Sequence, residues 1–153
     1  MSLGSRRTAA TSVAAAAFLV ASAGAFAKSH VAAGVASGGA HPAIYSASQA
    51  AVGGKAYGAN CASCHGAQLE GGVGPALSGA TLNTLAKNTK LSVGDMFTFM
   101  SLQMPLNAPA SLSKAQYAQI MAYILKYNGY PAGSKELTYA VATDSKVIMH
   151  SAK

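Results

Sequence analysis

From residue 49 to residue 129 the chain alternates between stretches in which apolar residues return every three or four positions and stretches broken by glycine and proline. The clearest periodic stretch comes last. Tyr117, Ile120, Met121, Ile124 and Tyr127 follow the 3,4,7 spacing of one helical face. Ser113, with Gln116 three residues on, predicts a capping box at its start, and Gly129 followed by Pro131 predicts its end. A second helix is predicted over residues 93–103, opened by Ser92 and Asp95 and closed before Met104-Pro105. A third is predicted over residues 49–60, with Ser48 as N-cap. Gly53 and Gly54 each lower its intrinsic stability by about 1 kcal/mol relative to alanine. They make sense if another helix crosses closely there, and Tyr57 lies on the same face as Gly53. Residues 81–90 read as a short helix. Residues 66–79 hold five glycines and Pro75, a loop whose backbone can lie close against a flat ligand. Residues 106–112 read as a proline-containing loop, and residues 135–153 as a tail in which residues 137–141 are weakly strand-like.

The N-terminal pattern is different. Arg6 and Arg7 precede an alanine-rich apolar run over residues 11–23, and Ala25-Phe26-Ala27 is a small-x-small cleavage site. The run is too short to span a bilayer, which takes about 20 apolar residues. Residues 1–27 are therefore expected to be a cleaved secretory signal peptide, and the remaining chain to be periplasmic with no transmembrane segment. Residues 28–46, rich in Ala, Gly and Ser, read as a flexible leader. Without Arg6 and Arg7 the formal charge falls from +7 to +5, with nine lysines facing Glu70, Asp95, Glu136 and Asp144. No arginine and no basic cluster remains in residues 28–153, which argues against nucleic acid. An exported basic protein points instead to acidic partner surfaces and salt-sensitive encounters.

The chemistry sits in Cys61-Ala62-Ser63-Cys64-His65, which contains both cysteines of the chain. This is the C-x-x-C-H spacing of covalent haem attachment. Two residues between the thiols put both sulfurs on one side of a helical turn, where they can add to the two vinyl groups of a haem. His65 then lies beneath the ring, with a neutral imidazole nitrogen available to iron. A thioredoxin-like redox pair would need a strand–helix–strand setting, and no alternating Val/Ile strand precedes Cys61. Zinc would need a second ligand pair, whereas His30, His41 and His150 are scattered towards the ends of the exported chain.

Iron held by one histidine has a second axial position. A thioether there raises the reduction potential and makes an electron-transfer site, whereas an open position would bind small molecules. Met96, Met100 and Met121 lie within predicted helices, where soft core filling is the simpler role. Met104 stands at a helix end with Pro105 turning the chain away, so its thioether can project into a cavity opposite His65. Met104 is the expected ligand and Met100 the alternative.

Together, Gln49, Gly53, Tyr57, Cys61-x-x-Cys64-His65-Gly66, Gly74-Pro75-x-Leu77, Met104-Pro105, Tyr117 and Ala122-Tyr123-Ile124-Leu125 resemble a small bacterial class I cytochrome c over about residues 47–133. The resemblance implies an all-α cytochrome c fold, with three to five helices wrapped around one covalently bound haem c. It implies that the first and last helices cross beside the haem, placing Gly53 and Tyr57 against Tyr123. It also implies that the Pro75 carbonyl accepts a hydrogen bond from the His65 ring. The cytochrome c domain is expected over residues 47–134, followed by the tail over 135–153. The stretch from Met104-Pro105 to Asn128-Gly129-Tyr130-Pro131-Ala132-Gly133 is similar to cytochromes that take electrons from periplasmic quinoprotein-type dehydrogenases. Here the chain departs in having Asn107-Ala108-Pro109-Ala110 where a Pro-Gly turn is more usual. The function implied is a periplasmic electron carrier rather than an enzyme. Its donor would be a dehydrogenase, and its acceptor an oxidase or another cytochrome. A dedicated cytochrome subunit of a dehydrogenase and an open-site ligand sensor are the alternatives. Leu77, Phe97, Phe99 and Met100 are candidate wall residues, and Lys87 and Lys90 candidate charges at the exposed edge.

Overall fold

The computed structural model describes residues 41–153; the expected signal peptide and most of the leader lie outside the described residues. Among the described residues there are six helices and no strand. Helix α1 spans Ala47–Asn60, α2 Ala62–His65, α3 Gly79–Thr89, α4 Val93–Gln103, α5 Lys114–Tyr127 and α6 Tyr139–Thr143. The all-α reading holds. The N-cap of α1 is Ser46, whose Oγ accepts from the Gln49 amide at 3.1 Å, and not Ser48. The two other predicted caps form as complete boxes, Ser92 with Asp95 on α4 and Ser113 with Gln116 on α5.

Helices α1 and α5 form the main packing pair. A Cβ added at Gly53 would fall on the backbone carbonyl of Gln119, so hydrogen is the only side chain this crossing admits. One position on, Gly54 faces the Tyr123 ring, whose nearest carbon would stand 3.2 Å from an added Cβ. The rings of Tyr57 and Tyr123 meet with centroids 5.2 Å apart. The sequence-predicted crossing is therefore present, with Gln119 as well as Tyr123 on the facing side. Behind it, Ile120, Met121, Ile124 and Leu125 are fully buried.

The stretch at either end of this pair is more ordered than its composition suggests. Tyr45, at the end of the expected leader, is buried, and its hydroxyl donates to the Tyr130 carbonyl at 2.6 Å. The tail packs into the same compact unit. Residues 139–143 form α6 and not the weak strand the sequence suggests. Among the described residues no strand lies alongside to pair with, and the Leu137 amide and carbonyl are both taken by the Gln49 side chain, at 2.8 and 2.7 Å. The Thr138 hydroxyl then accepts from the Val141 amide at 3.2 Å, capping a helical turn. Beyond α6 the backbone runs beside the start of α4. Gly94 donates to Ser145 at 3.0 Å, Val93 to Val147 at 2.7 Å, and Met149 to Leu91 at 2.8 Å. Met149 and Leu137 are core residues, and Ser151 exchanges two hydrogen bonds with the Asn83 side chain on α3.

Candidate functional site

Cys61 ends α1, and the single turn of α2 carries Cys64 and His65 immediately after it. Tyr57, one turn earlier, donates from its hydroxyl to the Gly66 carbonyl at 2.7 Å, fastening the end of the motif back onto α1. From Gly66, at φ 81°, the chain enters the glycine-rich loop. That loop folds back on the motif, with Gly71 donating to His65 at 2.8 Å and Gly74 to Cys64 at 2.9 Å. Gly74 has no room for a side chain, since a Cβ there would lie 2.7 Å from His65 Cε1. This close approach brings the Pro75 carbonyl 2.8 Å from His65 Nδ1. A carbonyl only accepts, so Nδ1 carries the proton and Nε2 keeps its lone pair. A histidine bonded in this way is oriented and made more basic for a metal.

These residues face a cavity of about 800 Å³, within the range of about 300–1,000 Å³ usual for ligand and cofactor sites. Cys61, Cys64, His65, Gly74, Pro75 and Leu77 line it from the motif and the loop that follows. Met100 of α4, Met104 with the loop after it, and Ile120 and Ile124 of α5 complete the lining. Met104 is the C-cap of α4, in extended backbone conformation, and the Met104–Pro105 peptide is cis. Met100 and Met104 line the cavity; Met96, Met121 and Met149 do not. The expected site residues Cys61, Cys64, His65, Pro75 and Met104 thus come together around one space. Among the described residues its wall contains no carboxylate, lysine or arginine. A largely apolar cavity lined by two thiols, a prepared imidazole and two thioethers suits a haem.

Cys61 and Cys64 are both free, and burial, followed by the neighbouring Cys64, pushes the Cys61 thiol up to about 11. A nucleophilic redox cysteine requires the opposite shift. Nor do the described residues hold any cluster of three or more His, Cys, Asp or Glu able to bind a metal ion.

A family model described as cytochrome C oxidase, cbb3-type, subunit III matches residues 48–124. The chain belongs to this family. It is a cytochrome c domain whose role is haem-based electron transfer, and a carrier of this kind has redox partners. The match runs from the first turn of α1 to the last turn of α5, so it takes in the motif, the glycine loop and Met104 and leaves the tail outside. No curated protein and no solved structure matches the chain.

Some sequence expectations about this cytochrome domain need correction. Leu77 and Met100 line the cavity, but Phe97 is buried in the core against Tyr139, and Phe99 is 59% exposed on the outer face of α4. Met100 lines the cavity from the last turn of α4 and Met104 from its extended C-cap, whereas Phe99 is turned to solvent. Lys87 lies in the last turn of α3 and Lys90 at its C-cap. Two residues that shape the site went unassigned. Asn128 donates from its side chain to the Leu77 carbonyl at 2.9 Å, tying the loop that carries Pro75 to the end of α5. Tyr117 donates to the Met104 carbonyl at 2.5 Å. Tyr117 carried a signal, since a tyrosine on a buried helix face needs a partner for its hydroxyl.

Proposed function

We propose that the protein is an exported, periplasmic electron carrier holding one haem c covalently through Cys61 and Cys64, with His65 and Met104 as the two axial ligands. The observation that carries this reading is the convergence of the C-x-x-C-H turn and the Met104 helix end on one cavity. Bound haem supplies the one-electron iron couple. The chain does the rest. Cys61 and Cys64 would hold the porphyrin edge, and Pro75 fixes the His65 tautomer so that Nε2 would be free to bind the iron. Ile120 and Ile124 add apolar surface to the cavity lining, which keeps water from the group held there. A dehydrogenase as donor, and an oxidase or second cytochrome as acceptor, suit this reading.

The test uses the purified holoprotein. Covalent attachment predicts that haem stays with the polypeptide after acid–acetone extraction and that the chain mass rises by one haem. Met104 ligation predicts a far-red thioether-to-iron band in the oxidised protein and resistance of the reduced protein to carbon monoxide. Extractable haem would sink the attachment. Avid carbon monoxide binding would favour an open-site sensor.

One observation favours a permanently docked subunit as the second reading. Phe99, Leu102 and Leu106 are all more than half exposed, and the first two lie one turn apart on α4. Co-purification with a larger chain would select this reading, and purification as a monomer the free carrier.

A further inference from the structure

The Met104 thioether reaches the cavity from a piece of backbone with few attachments. Within residues 105–112, Ala108 donates to Pro105 at 2.9 Å and Ser111 to Ala108 at 3.3 Å, bonds that shape the loop without holding it to anything. The Met104 amide donates to the Met100 carbonyl at 3.1 Å, holding the start of the loop to α4, and among the described residues both ends of the loop also bond one further atom, the hydroxyl of Tyr117. It donates to the Met104 carbonyl at 2.5 Å and accepts from the Leu112 amide at 3.4 Å. Tyr117 stands in the first turn of α5 and is only 3% exposed, so its ring is fixed by the core and its hydroxyl is a stationary point. Helix α5 also supplies Ile120 and Ile124 to the cavity lining, so the loop is referred to an element that itself builds the site.

We propose that Tyr117 is the positioning residue for the Met104 side of the haem: its hydroxyl clamps both ends of the loop over residues 105–111 and sets how often the thioether leaves the iron. The proposal rests on the reading of Met104 as an axial ligand. Tyr117 touches neither iron nor porphyrin in this role. Its effect passes through the Met104 backbone. With the clamp in place, an external ligand binds only in the fraction of molecules whose loop is open, and its apparent affinity is reduced by that fraction. Removing the hydroxyl enlarges the open fraction and leaves the shape of the ring in the core unchanged.

The test compares holoprotein variants Tyr117→Phe and Tyr45→Phe with the unmodified holoprotein. Tyr45 is an equally buried tyrosine whose hydroxyl bonds a backbone carbonyl at 2.6 Å, but it does not line the cavity. It controls for a merely structural loss. Imidazole is titrated into the oxidised protein, and amide exchange is followed over residues 105–112. Tyr117→Phe is expected to raise imidazole affinity about fivefold to tenfold, the equivalent of one buried hydrogen bond, and to speed exchange at Leu112. Tyr45→Phe is expected to do neither. If both variants give the same imidazole affinity as the unmodified protein while its far-red thioether band is present, the clamp is overturned and the ligand stands. If the unmodified protein lacks that band, the ligand assignment beneath the proposal is overturned.

Discussion

Ala110, in the loop after Met104, has φ 57°, a left-handed conformation that an L side chain adopts at a cost of about 1–2 kcal/mol. This is the position at which the chain departs from the more usual Pro-Gly turn, and the backbone has kept the geometry that glycine would prefer. Ala110→Gly should therefore be tolerated and should stabilise the protein. Part of the gain is offset by the greater freedom of glycine in the unfolded chain, leaving less than about 1 kcal/mol. Urea denaturation checks the sign, and a loss of stability would show that the left-handed turn is not retained in solution. Gly53 lies at the opposite extreme. Gly53→Ala places a methyl on the Gln119 carbonyl, and the helices must separate or the chain must fail to fold. The expected cost is at least about 2–3 kcal/mol in the same assay. Gly54→Ala meets only the Tyr123 ring, which can swing aside, and should cost less. The haem motif and the need for Gly53 could both be read in the sequence because each depends on residue type at fixed spacing. Tyr117 and Asn128 act on backbone carbonyls, and a carbonyl has no sequence signature, so their targets emerged only from the fold.

At the scale of elements, α4 bears the most, since it presents Met100 and Met104 from one end and is held at the other by its cap and the tail. Hydrogen bonds from Ser92 hold the Asp95 carboxyl below its ordinary value. A depressed carboxyl contributes stability that is complete above its unfolded value, near about 4, and is lost as pH falls through the lower folded one. Asp95→Asn should remove this part of the acid dependence, seen as a flatter stability profile below about pH 4. Met149 packs with the core behind the strap that runs beside Val93 and Gly94. Met149→Ala should cost about 2–4 kcal/mol in thermal or urea unfolding, although it lies far along the chain from the haem motif. Helices α4 and α5 were legible because their capping boxes and periodic faces are local. The five residues of α6 are too few to show a period, and the strap is made by backbone groups, so the tail's form was hidden from pattern reading.

For the whole molecule, charge and chemistry are kept apart. Among the described residues the cavity wall has no carboxylate, lysine or arginine, while the surface carries lysines in excess of acids. Salt should therefore act on encounter and not on the haem environment. Exchange with an acidic redox partner should slow as ionic strength rises from about 0.01 to 0.15 M, over which the screening length falls from about 30 to 8 Å. The reduction potential should move little over the same range. Stopped-flow rates and a redox titration in matched buffers separate the two, and a rate insensitive to salt would remove the acidic partner. No helix among the described residues is long and apolar enough to cross a membrane. The strap along Leu91–Gly94 also has a consequence in time. Polypeptides are made from the N-terminus, so Cys61–His65 emerges well before Ser145–Met149, and until those residues arrive the near end of α4 lacks the backbone bonds from the tail to Val93 and Gly94.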